Sequence, residues 1–347
     1  MNESKYYDGT KLLSLKDLSG RTPEIFLSTT NRTAGKTTYF SRWCVNKFID
    51  RGEKFGLLFR FNNQLDDVAD KFFKDISSLF FPSYHMTAIC RADGVYQELF
   101  LNNKSCGYAI AMNNADAIKQ MSHLFSDIQR IFFDEFQSES NHYCSNEITK
   151  FQSIHKSIAR GQGKQTRYVP VVMCSNAVTL LNPYYIALGI SDRLHDDTKF
   201  LKGNGFVLEH STYQSAIDAA ADSGFERAFS ASKYQAYAKE NVYLNDNMSF
   251  IEKLSGKYNY LCNLRFNGKD FSLKEFRDEG VIYCDSSCDL SFPSKIAVTT
   301  EDHNINFVML KAYDMFIERM KYYFMNGAFR FRNLECKQCI LAMLSYR

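Results

Sequence analysis

Five short apolar runs mark the first two thirds of the chain, at residues 25–28, 54–59, 131–133, 169–174 and 205–209, with longer mixed stretches between them. Runs of this length, bounded by polar and turn-forming residues, predict strands. The intervening stretches include residues 39–49 and 146–158, which read as helices. Strand and helix in alternation predict an α/β fold with a mostly parallel sheet flanked by helices. Within residues 97–112, two further apolar runs enclose Asn102-Asn103-Lys104 and predict a hairpin between the second and third strands.

The pattern changes after residue 211. Residues 212–240 are rich in alanine (Ala216, Ala219, Ala220, Ala221) and in charged helix formers, which predicts a small helical linker. Residues 258–266 and Phe271 then flank Asn267-Gly268-Lys269, a second hairpin signal, followed by a strand at 281–284 and a helical segment at 306–325. Three parts are expected: a first domain over 1–211, a helical linker over 212–247 and a C-terminal α/β domain over 248–347.

Candidate chemistry lies at the ends of the strands. The first strand leads into Thr30-Asn31-Arg32-Thr33-Ala34-Gly35-Lys36-Thr37-Thr38 and then a helix. Strand, loop and helix in that order aim backbone N–H groups and the positive helix end at a polyphosphate, with Lys36 reaching the terminal phosphates and Thr37 holding Mg²⁺. Thr30 stands where the usual pattern has its first glycine, so the loop alone also fits a strand-to-helix turn with a solvated lysine. The third strand weighs against that turn, because it runs directly into Asp134-Glu135. Asp134 would bind Mg²⁺ through water, and Glu135 would orient and deprotonate the water that attacks the γ-phosphate. The fourth strand ends in Ser175-Asn176, at the sheet edge where ligands of open parallel sheets sit. Asn176 is therefore a candidate γ-phosphate sensor, although Ser-Asn ahead of Asn182-Pro183 also fits turn chemistry. ATP and Mg²⁺ are the cofactors implied.

Composition alters this picture little. With 347 residues, 45% hydrophobic and 23% charged, the chain has room for two ordinary globular domains. No run approaches the ~18 apolar residues that span a bilayer, and Met-Asn-Glu-Ser-Lys is unlike a signal peptide, so an intracellular protein without a membrane partner is expected. Ten scattered cysteines are expected as thiols; only Cys336 and Cys339 have Cys-x-x-Cys spacing, and structural zinc is not expected. A net charge of +3 does not by itself announce nucleic acid. Arg330, Arg332, Lys337 and Arg347 cluster among Phe324, Phe329 and Phe331, as a face for phosphates or for solvent.

Several of these segments together resemble a known family. The phosphate loop with Arg32, Phe133-Asp134-Glu135-Phe136, Cys174-Ser175-Asn176-Ala177 with Asn182-Pro183-Tyr184-Tyr185, and Phe324-Met325-Asn326-Gly327 are similar to the genome-packaging ATPases (DNA encapsidation proteins) of phi-29-like tailed phages. The likeness spans nearly the whole chain. It implies a P-loop motor of the additional-strand, catalytic-glutamate class related to large terminases, in which loss of the first loop glycine is tolerated and Arg32 belongs to the nucleotide site. It further implies a ring, usually of five copies, that threads double-stranded DNA into a prohead at its portal or connector, with a structural packaging RNA as adaptor in some relatives. The protein would then act in the host cytoplasm, transiently on the prohead, and be absent from the mature virion. Ring motors complete their sites across subunits, and Arg160, after the helix at 146–158, matches the family's trans arginine finger, with Arg167 in reserve.

Two departures bear on this resemblance. In the loop after the second strand, where the family carries a DNA-gripping basic residue, only Arg60 is basic and the matching position is Asn62; Lys104 and the C-terminal arginines are other candidates for the DNA phosphates. Terminases that cut DNA need clustered carboxylates on a ribonuclease-H-like domain. Residues 258–266 contain no acid, leaving Asp285, Asp289, Glu301 and Asp302, which implies a vestigial, nuclease-dead domain of that type. The alternatives are a terminase-like subunit that also cuts DNA, and a nucleic-acid-binding, portal-docking component with a degenerate nucleotide site.

Overall fold

The computed structural model describes residues 6–344 except 141, 192, 195–197, 222, 229–249 and 310–312. Arg347 and most of the expected linker, residues 229–247, lie outside the described residues. The chain divides into two compact units, Met1–Asn245 and Asp246–Arg347.

The first unit is built on β1 (Ile25–Thr30), β2 (Lys54–Phe59), β3 (Met86–Arg91), β4 (Tyr96–Leu101), β5 (Lys104–Ala111), β6 (Ile128–Asp134), β7 (Val171–Ser175), β8 (Phe200–Lys202) and β9 (Phe206–Ser211). Their order is β3-β4-β5-β2-β6-β7-β1-β9-β8. Pairing is parallel from β5 through to β9, with antiparallel β3 and β4 at one edge and β8 at the other. β7 lies between β1 and β6, the additional strand of the class named above. It places Ser175-Asn176 between the phosphate loop and Asp134-Glu135.

Helices cover this sheet. In α2 (Lys36–Arg51), Phe40, Ser41, Cys44 and Val45 recur on one helical face and are buried, and Phe40, Cys44 and Val45 share a core with Phe26, Phe132, Val172 and Val207. In α5 (Glu147–Ile158), Phe151, Ile154 and Ile158 are likewise buried along one face, with Phe151 against Tyr184. At the first hairpin, Asn102 and Asn103 both have positive φ, 47° and 63°, as a tight two-residue turn requires. Gly107 is required for a different reason: a Cβ there would lie 2.1 Å from the carbonyl oxygen of Phe55 on β2.

The second unit has β10 (Asn259–Phe266), β11 (Lys269–Phe276), β12 (Val281–Asp285), β13 (Lys295–Ala297), β14 (Val308–Met309) and β15 (Phe329–Phe331), ordered β14-β13-β10-β11-β12-β15. Only β11 runs antiparallel to its neighbours. The run β12-β11-β10-β13-β14 is the strand order of a ribonuclease-H-like sheet, extended at one edge by β15. Helices Asp314–Met325 and Leu334–Leu344 pack on it through Ile317, Met320, Cys336, Cys339, Ile340 and Met343. The Cys-x-x-Cys spacing is thus the buried face of a helix.

Two expectations need correction. The segment 306–325 is helical only from Asp314, because Val308 and Met309 pair with Ile296 and Ala297 as an edge strand. A short apolar run has no periodicity to separate strand from helix. β3 went unpredicted: only Met86 of its six residues is buried, so it lacks the apolar signature of an inner strand.

Candidate nucleotide site

The carboxyl ends of β1, β6 and β7 converge on a cavity of about 390 Å³ lined by Arg32, Thr33, Gly35, Lys36, Thr37, Thr38, Asp134, Glu135, Ser175 and Asn176. Loop, acidic pair and polar pair, distant in sequence, thus meet at one sheet edge. Gly35 caps α2 with φ 98°, a conformation that suits glycine, and Thr33 has φ 63°. The loop is held from outside by the chain's start: Tyr7 donates its backbone N–H to the Ala34 carbonyl (2.9 Å) and its hydroxyl to Glu209 Oε2 (2.7 Å).

Lys36 is buried and folded back onto its own loop. Its Nζ donates to Thr30 Oγ1 (2.8 Å), the Thr30 carbonyl (3.3 Å), the Asn31 carbonyl (3.4 Å) and Asn176 Oδ1 (3.3 Å). Thr30, at the first glycine position, therefore supplies a hydroxyl that parks the lysine. Burial pushes the Lys36 ammonium down to about 8, partly opposed by Cys174 and Asp134.

Asp134 and Glu135 sit in different environments. Burial pushes the Asp134 carboxyl up to about 6, with hydrogen bonding from Thr37 opposing and the Glu135 charge adding to the rise. The Thr37 hydroxyl and the Asp134 carboxylate, already in contact, are hard oxygen donors that fit Mg²⁺. Glu135 is exposed, with φ 55°, and donates its backbone N–H to Asp134 Oδ1 (3.0 Å). Arg32 forms an ion pair with Glu139 (2.7 Å). Ser175 Oγ is buried and has no hydrogen-bond partner among the described residues.

Arg60 is not a surface residue. It is 5% exposed, its Nη1 donates to the Glu135 carbonyl (2.7 Å) and its Nη2 to the Phe136 carbonyl. Its Nε contacts both oxygens of buried Glu147 (3.0 and 3.2 Å), and Glu147 in turn accepts from the Tyr184 hydroxyl (2.8 Å). Arg60 thus pins the left-handed backbone of Glu135 and is unavailable to DNA, whereas Asn62 is exposed and bonded to Asn114. The reserve finger is corrected likewise: buried Arg167 donates to the carbonyls of Ile128 and Ile158. Arg160 is exposed just past α5, a helix of 12 residues or about 18 Å, at the sheet edge away from Glu135.

Asn182 caps a helix, Pro183–Ala187, through Oδ1 to the Tyr185 N–H (3.0 Å), which buries Tyr184 against Glu147. Gln137, which the sequence did not single out, accepts from the backbone N–H groups of Val178 and Thr179 and lines an adjoining cavity of about 710 Å³ together with Glu135 and Asn176. No local signal marks Arg60, Glu147 or Gln137, because their partners are remote in sequence.

In the second unit, Lys274 binds Asp285 (2.6 Å), Arg265 binds Asp270 (2.7 Å), and Asp302 accepts from the backbone of Asn267 and Gly268 (2.8 Å each). Asp289 caps Ser291 (2.9 Å) and Glu301 accepts from Thr300 (3.1 Å). Among the C-terminal basic residues, Arg330 is tied to Glu252 (2.6 Å), and burial holds Lys337 below the usual lysine value. Arg332 and, at the hairpin tip, Lys104 are exposed. Among the described residues no helix is long and apolar enough to cross a membrane.

Comparison with known proteins accords with this architecture. The DNA packaging protein of Bacillus phage phi29 is 23% identical over 337 residues, covering 96% of this chain and 95% of its own. That of Bacillus phage B103 is 23% identical over 307 residues, covering 87% and 90%. A chain of the bacteriophage Phi-29 viral genome packaging motor assembly shares the fold with a TM-score of 0.71 at 21% identity, over 98% of this chain and 100% of that one. A chain of the Phi-28 gp11 DNA packaging motor does so with a TM-score of 0.59 at 15% identity, over 99% of each. The sequence profile of the podovirus DNA encapsidation proteins matches residues 1–345, and this chain belongs to that family, Gp16.

Proposed function

We propose that the chain hydrolyses ATP to move double-stranded DNA into a preformed prohead, acting as a ring of five copies at the portal, with residues 1–211 as ATPase domain, 212–247 as linker and 248–347 as a nuclease-inactive domain. The observation that carries this reading is the single cavity uniting Lys36, Thr37, Asp134, Glu135 and Asn176. Thr37 and Asp134 would hold Mg²⁺, which lends charge neutralisation at the phosphates. Lys36 would exchange its contacts to Thr30 and Asn31 for the β- and γ-phosphates, and Arg32 would leave Glu139 for the same charge. Glu135 takes the proton of the attacking water, its direction set by Arg60 behind it. Asn176, hydrogen-bonded to Lys36, relays loss of the γ-phosphate. Arg160, remote from its own Glu135, acts on a neighbouring subunit's γ-phosphate.

The test is ATP hydrolysis with and without double-stranded DNA and empty proheads. Hydrolysis stimulated by both, and lost in Glu135→Gln while ATP still binds, is expected. No turnover under any condition would instead favour a docking component with a degenerate site. Mn²⁺-dependent cutting of plasmid would favour a terminase-like subunit.

A further inference from the structure

At the sheet edge opposite the phosphate loop lies another cavity, of about 370 Å³, that the nucleotide site does not use. Trp43 lines it from the middle of α2, Lys47 and Arg51 from the C-terminal half of that helix, Arg130 from the start of β6, and Tyr168 from the approach to β7. Arg130 is only 6% exposed. Its Nη2 pairs with Glu53, its guanidinium lies 4.5 Å from the Trp43 ring centroid, and its Nε has no hydrogen-bond partner among the described residues. Buried polar groups are nearly always satisfied, so an orphaned donor at a cavity wall marks a place for an acceptor.

Charge points the same way. Lys47, Arg51 and Arg130 line a cavity whose only carboxylate among the described residues is Glu53, which Arg51 also approaches at 3.8 Å. Burial, with Arg51 nearby, holds both the Lys47 ammonium and the Arg130 guanidinium below their ordinary values. The negative end of α2 accounts for Lys47 and Arg51. It does not account for Arg130, which sits on a strand. Tyr168 is 51% exposed while its hydroxyl is anchored to the Pro23 carbonyl (2.8 Å), so its ring is a fixed, partly open platform.

Donors for an anion beside an aromatic platform suit a phosphate joined to a planar base, and the volume falls in the ~300–1,000 Å³ range of small-ligand sites. We propose that this cavity binds a nucleotide unit, its phosphate on Arg130, Lys47 and Arg51 and its unpaired base on Tyr168. The unit is either a free mononucleotide or an unstacked nucleotide of a single strand. Paired, stacked bases of duplex DNA do not present this shape.

Trp43 is the sole tryptophan, and Arg130 over its ring makes its fluorescence the reporter. The full chain is titrated with 5′-AMP, a single-stranded RNA oligonucleotide, inorganic phosphate and an acidic peptide. The same titrations are run on Lys36→Ala, which disables the phosphate loop, and on Lys47→Gln combined with Arg51→Gln. Arg130→Gln should abolish the response; since a buried change can unfold the unit, the paired α2 variant, checked by circular dichroism, carries the decision. Saturable binding of 5′-AMP is expected, retained in Lys36→Ala and weakened about tenfold or more in the paired variant. Tighter binding of the oligonucleotide assigns a polymer as the source, and equal binding a free nucleotide. The proposal is overturned if nothing saturates, if phosphate or the acidic peptide matches 5′-AMP, if Lys36→Ala abolishes the signal, or if the paired variant binds like the unaltered chain.

Discussion

Asp134 and Asp285 each end a buried strand, β6 in the first unit and β12 in the second, yet their surroundings are opposite. Asp285 meets Lys274 at 2.6 Å, a neutral pair complete within its own unit. Asp134 has a hydroxyl, a backbone N–H and a second carboxylate beside it, and burial leaves it at about 6. Lys36, the nearest compensating charge, is itself pushed down to about 8 and directed to carbonyl and hydroxyl oxygens. A carboxylate satisfied internally has no remaining demand for a cation. One left short of positive charge does, and perturbed groups of this kind gather where ligands bind.

The sharpest way to break this contrast is Arg160→Ala, since under the proposed reading the acidic edge is completed by a neighbour's cation. ATP binding should be nearly normal and hydrolysis lower by ~10³ to 10⁵. Mixing Arg160→Ala subunits with Glu135→Gln subunits should restore some turnover in verified mixed rings, because some interfaces then carry both intact groups. No rescue would refute action in trans.

Glu135→Gln should lower hydrolysis by ~10² to 10⁴ with ATP binding kept, measured by single-turnover assay and by nucleotide titration. Normal turnover would remove Glu135 from the role of base.

In the second unit the same kind of change should read out as stability. Asp285→Asn strands a buried lysine and should cost about 3 kcal/mol in denaturant unfolding. If the unaltered chain cut DNA with Mn²⁺ and Asp285→Asn or Asp289→Asn abolished the cutting, these acids would be catalytic and the contrast false.

The smallest effect concerns pH. The folded, nucleotide-free chain releases the Lys36 proton near pH 8, below the ordinary lysine value, so the unfolded chain holds more protons between these values. Stability should therefore rise with pH across that window, the penalty of the buried charge being fully present below pH 8. Phosphates favour the charged form, so nucleotide binding takes up a proton above pH 8. Affinity should be about tenfold weaker at pH 9 than at pH 7. Calorimetry in buffers of different ionisation enthalpy checks the uptake, and an affinity flat through pH 9 would contradict it.

Local physics made much of this protein readable from its residues. Strand-length apolar runs, the Asn102-Asn103 and Asn267-Gly268 turns and the helical spacing at 146–158 correspond to elements of the fold, because each is determined by neighbours a few residues away. The loop around Lys36 and the tip Asp134-Glu135 were visible for the same reason: both are contiguous motifs at strand ends. Edge strands were not. β3 and β14 bury too little to leave a pattern, and only pairing with β4 and β13 makes them strands.

Tertiary structure alone decided what each charged side chain does. Arg60, Arg160 and Arg167 all lie in loops between elements, and their neighbours in sequence do not tell which of them is buried. Folding buries the first behind Glu135, leaves the second at the surface and ties the third to the carbonyls of Ile128 and Ile158. The same holds for Arg130 beside Trp43 and for the acids of the second unit. A side chain's propensity and period are properties of its own segment, whereas its burial, partners and proton affinity depend on residues brought close only when the sheet assembles.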